Sequence, residues 1–216
     1  MSQTKELWLK ENTPSSFVVA FVTQNTVGKK VLDVGCAQGW YAEELQKRGF
    51  EVTASDIEKD IIYDDLNFIK ADVTKLPFNQ NEFDTTLAIS VLEHVENYAK
   101  ALQELNRVTS KRLLLITPNK DDHALKDYNL TFRHFTDRGH KNFYNQEELT
   151  KLLEKYGFKI VKAFTFGPVL PSVLSEFIGN KMLRVVARKV LNRLFTWKIL
   201  NSPELQADIF IVADKK

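Results

Sequence analysis

The chain has 216 residues, a formal net charge of +2, 44% apolar residues and a single cysteine, Cys36. That balance predicts one soluble α/β domain over 1–216 with a sizeable core, and the lone cysteine excludes an internal disulfide and suits a reducing cytoplasm. No stretch matches a transmembrane helix, and the charged residues of 1–12 do not read as a signal peptide.

In chain order, Ser15 and Ser16 predict the cap of a helix to about Thr26, with Phe17, Val18, Phe21 and Val22 at helical spacing. A strand over 31–34 leads through a glycine-containing turn into a helix over 39–48 and a second strand over 51–55. A short connection precedes a third strand over 67–71, and a fourth follows over 84–89. Tyr98, Leu102 and Leu105 form the apolar stripe of a helix near 96–107. A fifth strand over 112–117 ends at Pro118. A helix over 146–156 closes at Gly157, a sixth strand follows over 158–166, and 204–213 alternates as a seventh with Ile209, Ile211 and Ala213 on one side. Strands alternating with helices imply a mostly parallel sheet.

The run Val31-Leu32-Asp33-Val34-Gly35-Cys36-Ala37-Gln38-Gly39, with Asp56 about twenty residues on, carries the chemistry. Glycines let the backbone approach a ligand, and the helix that follows points free N–H groups back at the turn. An acid after the second strand is placed to accept from ribose hydroxyls. A dinucleotide site reads G-x-G-x-x-G so that a pyrophosphate reaches the helix; here Ala37 replaces the middle glycine, and Asp33 adds a charge that such a site does not need. Its carboxylate orders the turn or faces a cationic ligand. Cys36 reads as a small packing residue rather than a nucleophile.

Further along, Asp72 follows the third strand, then come Leu76-Pro77-Phe78, Phe83-Asp84, Ser90 and Leu92-Glu93-His94-Val95. Taken with the glycine turn, these resemble the class I S-adenosylmethionine-dependent methyltransferases of the ubiquinone/menaquinone-biosynthesis type, over roughly 28–165. The resemblance implies a Rossmann-like seven-stranded sheet with helices on both faces, its last strand antiparallel and set between the fifth and sixth. It also implies S-adenosyl-L-methionine as cofactor. Asp33, Gly35, Cys36, Ala37 and Gly39 would then surround its methionine part, with Ser90 also among the cofactor-binding residues. Asp56 would bind the ribose, Ile57 would pack on adenine, and Asp72 with the Val73 backbone would meet the adenine amino group.

Two segments depart from the shared core. The loop over 119–144 is dense in His, Arg and aromatics and would face the acceptor; His134 or His140 is a candidate general base, and His94 after the fourth strand is another. Capping and stacking are the alternative use of each. His123, His134, His140 and Asp137 lack a recognised ligand spacing, so no metal is expected. The insertion over 168–202 holds six basic residues and one acid. Leu183, Val186, Ala187, Val190, Leu191, Leu194 and Phe195 recur at helical spacing, with Lys181, Arg184, Arg188, Lys189 and Arg193 opposite. Residues 181–198 therefore form a basic amphipathic helix. Its common fate is packing on the sheet or a second subunit; a membrane-surface contact and an acceptor lid are the other uses.

The expected partner is a small-molecule acceptor, lipid-linked or glycan. A nucleic-acid partner is not expected, because the basic charge sits in one helix and no Asp/Asn-Pro-Pro-aromatic run follows the fourth strand. The alternatives are an NAD(P)-binding oxidoreductase, disfavoured by Ala37 and by the lack of a Tyr-x-x-x-Lys pair, and a catalytically inactive cofactor-binding subunit.

Overall fold

The structure is a computed structural model that describes residues 15–120, 137–168, 180–196 and 206–216. Ser15 opens the first helix, its Oγ accepting from the Val18 N–H at 3.2 Å. This helix, α1, spans Ser16–Asn25, and β1 (Lys30–Val34), α2 (Trp40–Lys47), β2 (Glu51–Asp56), β3 (Asn67–Lys70) and β4 (Phe83–Ile89) follow. After a short 3₁₀ turn at Leu92–His94 come α3 (Tyr98–Val108), β5 (Thr109–Pro118), α4 (Gln146–Lys155), β6 (Phe158–Pro168), α5 (Lys181–Thr196) and β7 (Gln206–Lys215). Asn145 and Glu148 close α4 with a reciprocal capping box, in which each side chain accepts from the other's backbone N–H.

The strands form one sheet in the order β3-β2-β1-β4-β5-β7-β6. β1 to β5 pair in parallel, and β7 runs antiparallel to both β5 and β6. The order reverses between β1 and β4, which opens a crevice at the carboxyl ends of these strands. Period-two alternation sends neighbouring residues to opposite faces. Leu32, Leu113, Leu115, Ile209 and Ile211 meet Leu102 and Leu105 of α3 and Leu149 and Leu153 of α4. Val31, Leu114, Ile116, Phe210 and Val212 meet Phe21 and Val22 of α1 and Ala42 and Leu45 of α2. Helices thus cover both faces, and the predicted side for Ile209, Ile211 and Ala213 holds.

Three expectations are corrected. β3 ends at Lys70 rather than 71, and Asp72, beyond the strand as expected, forms an isolated bridge to Lys75. β5 begins at Thr109 rather than 112, because the Thr109 hydroxyl bridges the Leu105 carbonyl and the Thr86 hydroxyl and turns α3 directly into the strand. Packing of the amphipathic helix on the sheet is not what α5 shows. Leu183, Val186 and Val190 are 60%, 54% and 51% exposed, and only Ala187 is half-buried among the described apolar side chains. Leu191, Leu194 and Phe195 lie outside the described side chains, and 121–136 with His123 and His134 lies outside the described residues.

Candidate active site

The turn after β1 passes through Gly35, Ala37 and Gly39, with φ of 69°, 44° and 83°. A Cβ on Gly35 would stand 2.4 Å from a Val91 methyl and one on Gly39 2.6 Å from a Leu66 methyl, so both positions exclude larger residues. Ala37 holds a left-handed conformation that costs an alanine energy, which a requirement for small size alone does not reveal. The Gly35 and Cys36 N–H groups donate to the Ser55 carbonyl at 2.7 and 3.1 Å, and the Ala37 N–H donates to Asp56 Oδ2 at 2.8 Å. The turn is therefore held to the end of β2. Asp56 Oδ1 accepts from the Glu58 N–H at 3.3 Å, and Asp72 Oδ1 accepts from the Thr74 N–H and hydroxyl at 2.7 and 2.8 Å.

These groups border a cavity of about 630 Å³ at the switch point of the sheet. Gly35, Ala37, Asp56 and Ile57 form one side, Asp72 and Val73 another, and Ser90 and His94 close the end nearest β4. Ile57 is 60% exposed and presents a bare apolar face. Asp33 and Cys36 do not line the cavity; both are buried beneath the turn, and Gly39 caps α2. Asp33 Oδ2 has no hydrogen-bond partner, while the Ala42 N–H of α2 bonds its carboxylate. Burial pushes the Asp33 carboxyl up to about 7, and the charge of Asp56 adds to the rise. Burial also pushes the Cys36 thiol up, which fits packing rather than nucleophilic use.

Above the cavity, the 3₁₀ turn is latched to the segment 139–142. The Lys141 and Asn142 N–H groups donate to the Glu93 carbonyl, and the Asn142 amide donates to the Leu92 and Val95 carbonyls. This latch sets His140 edge-to-face against His94, ring centroids 4.6 Å apart. The His140 side chain is only 8% exposed and lies off the cavity wall, whereas His94 is exposed and lines it. His94 Nδ1 stands 3.2 Å from the Gly139 carbonyl oxygen. A carbonyl only accepts, so this contact places the proton on Nδ1 and leaves Nε2 able to take one.

A family model described as a methyltransferase domain matches residues 9–163, 155 of the 216. The chain belongs to the class I S-adenosylmethionine-dependent methyltransferases. It is 24% identical over 180 residues to a malonyl-(acyl-carrier protein) O-methyltransferase of Buchnera aphidicola, covering 76% of this chain and 73% of that protein. It is 36% identical over 89 residues to the demethylmenaquinone methyltransferase of Paenarthrobacter aurescens, 38% of this chain and 35% of that one. The chain thus spans about a third of the second relative's length. In fold it is similar to a SAM-dependent methyltransferase from Archaeoglobus fulgidus (TM-score 0.65, 21% identity, 98% of this chain and 99% of that one). A second fold neighbour is the magnesium protoporphyrin IX methyltransferase of Synechocystis, solved with bound SAH (TM-score 0.58, 19% identity, 93% and 81% covered).

This methyltransferase places Asp33, Gly35, Ala37, Asp56, Ile57, Asp72, Val73, Ser90 and His94 at or under one crevice. Sequence reading assigned no role to Glu93, Thr117 or Asp208. Glu93 is buried, and its Oε2 accepts from the Thr117 hydroxyl at 3.0 Å while Oε1 has no hydrogen-bond partner. Burial pushes the Glu93 carboxyl up, and burial with the charge of Glu93 pushes Asp208 up to about 6. Glu93 was visible within Leu92-Glu93-His94-Val95, but nothing local says that its side chain turns inward. Ligand-capable atoms of Glu93, His94 and His140 lie within 4.8 Å of one another, a cluster that the sequence, with its attention on His123 and Asp137, did not single out.

Proposed function

We propose that this methyltransferase moves a methyl group from S-adenosylmethionine to a small-molecule acceptor, lipid-linked or glycan, by in-line displacement. The observation that carries the reading is the cavity at the switch point, bordered by Gly35, Asp56, Asp72 and His94. Its lining fits the cofactor: Gly35 and Ala37 bring slender backbone to the cavity wall, two carboxylates have acceptor capacity left, and Ile57 offers a bare face for a base. Asp33, buried with an unpartnered oxygen, sets a latent negative charge beneath a site for a cationic ligand. By name the first relative is an O-methyltransferase of malonyl-(acyl-carrier protein) and the second a methyltransferase of demethylmenaquinone, which supports a small or carrier-linked acceptor group here.

When bound, S-adenosylmethionine supplies a methyl already activated by its sulfonium charge. The chain's own work is then mainly orientation, which contributes roughly 7–11 kcal/mol in favourable cases. Asp56 would orient the ribose, Asp72 and the Val73 backbone the adenine, and the turn over 35–37 the methionine part. His94 Nε2, oriented through Gly139, would take the proton of an acceptor hydroxyl. His140 would act behind it as a positioning residue. His134 lies outside the described residues.

The test is calorimetric titration with S-adenosylmethionine, S-adenosylhomocysteine and NAD side by side. The first two should bind and NAD should not, and Asp56→Ala should weaken both about tenfold or more, the loss expected of a charged hydrogen-bond partner. Binding of NAD alone overturns the reading. Binding of the cofactor with no turnover on any lipid or glycan extract would favour an inactive cofactor-binding subunit.

A further inference from the structure

The helix α5 has no place in the site just described. Its exposed apolar residues include Leu183, Val186 and Val190, one stripe at helical spacing with more than half of each side chain in water. Isolated apolar residues on a surface are ordinary, but a continuous stripe on a helix marks a contact surface. The same sixteen residues, KMLRVVARKVLNRLFT, contain five basic side chains and no acid, and Lys189 and Arg193 are exposed.

Charge and topology together select the occupant. The insertion over 168–202 carries +5, so the remainder of the +2 chain carries about −3. A second copy of this chain meeting the stripe across a two-fold axis would bring two such basic helices together, which like-charge repulsion opposes. An anionic surface is attracted to this segment and repelled by the rest of the molecule, so contact is directional. The insertion also leaves and re-enters the sheet at one rim. Pro168 pairs with Gln206, and Asp208 pairs with both Phe166 and Pro118, at the carboxyl end of β5. That is the rim that carries Ser90 and His94 after β4. Among the described residues no helix is long and apolar enough to cross a membrane, so α5 suits lying in the interface rather than spanning it.

We propose that α5 is an interfacial helix that docks the protein on an anionic lipid surface with the acceptor rim turned toward it. Resting on the methyltransferase reading, the acceptor is then a membrane-resident molecule that reaches His94 from the lipid side. Leu183, Val186 and Val190 enter the acyl boundary while Lys189 and Arg193 meet headgroup phosphates.

Flotation of the full chain with phosphatidylcholine vesicles, with and without phosphatidylglycerol, tests this. The protein should float with the anionic vesicles, remain behind with the neutral ones, and lose binding as salt is raised. The double variant Lys189→Gln/Arg193→Gln should lower partitioning about twenty-five-fold, roughly fivefold per cation. Val186→Asp should abolish it. S-adenosylmethionine titration of the same variants should be unchanged, which shows that they are folded. Failure of wild-type protein to float, or flotation indifferent to these substitutions, overturns the proposal. A wild-type dimer that Val186→Asp dissociates, with no vesicle binding, assigns the stripe to a second copy instead. Vesicle binding without any cofactor binding leaves the docking in place and removes only the methyltransferase reading and its acceptor.

Discussion

Asp33 shows most clearly what a single position contributes. Its carboxyl sits beneath the glycine turn, pushed up to about 7 by burial, then lowered in part by the Ala42 N–H. The folded protein therefore binds this proton at pH values where the unfolded chain has released it. The contribution of Asp33 to stability is complete below the ordinary carboxylate value of 3.8 and declines as pH rises through about 7. Asp33→Asn removes a group that must ionise in a buried place. Its ligand-free thermal midpoint should exceed that of wild type by several degrees at pH 8, and the gap should narrow toward pH 4. A gap that does not change with pH would remove burial of the charge as the cause. The same variant should bind S-adenosylmethionine more weakly, since it loses the negative charge under a cationic ligand. At this scale Gly35, Asp56 and Asp72 were legible because residue type and spacing carry their chemistry. The tautomer of His94 was not, because it depends on Gly139, forty-five residues away.

Among elements, the join between α1 and β1 rests on Asp84 of β4. Its Oδ2 accepts from the Lys29 and Lys30 N–H groups at 2.7 and 3.1 Å, and Oδ1 pairs with Lys111 at 2.9 Å. A Cβ on Gly28 would stand 2.3 Å from that of Asp84, so the glycine admits the contact. The Lys29 N–H first, then Lys111 and the Lys30 N–H, hold the Asp84 carboxyl down at about 2. This contribution is present above pH 3.8 and is lost as pH falls through about 2. Asp84→Asn should cost roughly 1–2 kcal/mol in urea unfolding at pH 7, with the difference from wild type shrinking below pH 3. Equal costs at both pH values would mean that shape, not charge, makes the staple. Helices α1, α3 and α4 were legible because caps and apolar stripes are local signals. The exposure of α5 was not: its stripe predicts burial against something, and a pattern does not say against what.

Across the whole molecule, the last strand in sequence is an interior strand in space. β7 lies between β5 and β6, with Ile209, Phe210, Ile211 and Val212 almost wholly buried. The Lys215 ammonium closes the far end by donating to Asn81 Oδ1 and to the Asn106 and Thr109 carbonyls. Removing 206–216 should therefore abolish cooperative unfolding monitored by circular dichroism, because it opens the sheet and exposes both core faces. Replacing 181–196 by a short Gly/Ser linker should leave that transition in place. A linker variant that also loses the transition would show that α5 belongs to the core after all.

The sequence by itself determined the alternation of strands and helices and singled out the glycine turn and the acids that the fold gathers at one crevice. Hydrophobic period, glycine and charge act within a few residues, and several such signals in register point to one family. Only the tertiary structure decided that Glu93 and Thr117 pair in the interior, that His94 rather than His140 faces the cavity, and that Leu183, Val186 and Val190 of α5 stand in water. Each of these depends on which groups from distant segments meet, and burial and hydrogen-bond partnership are properties of that meeting.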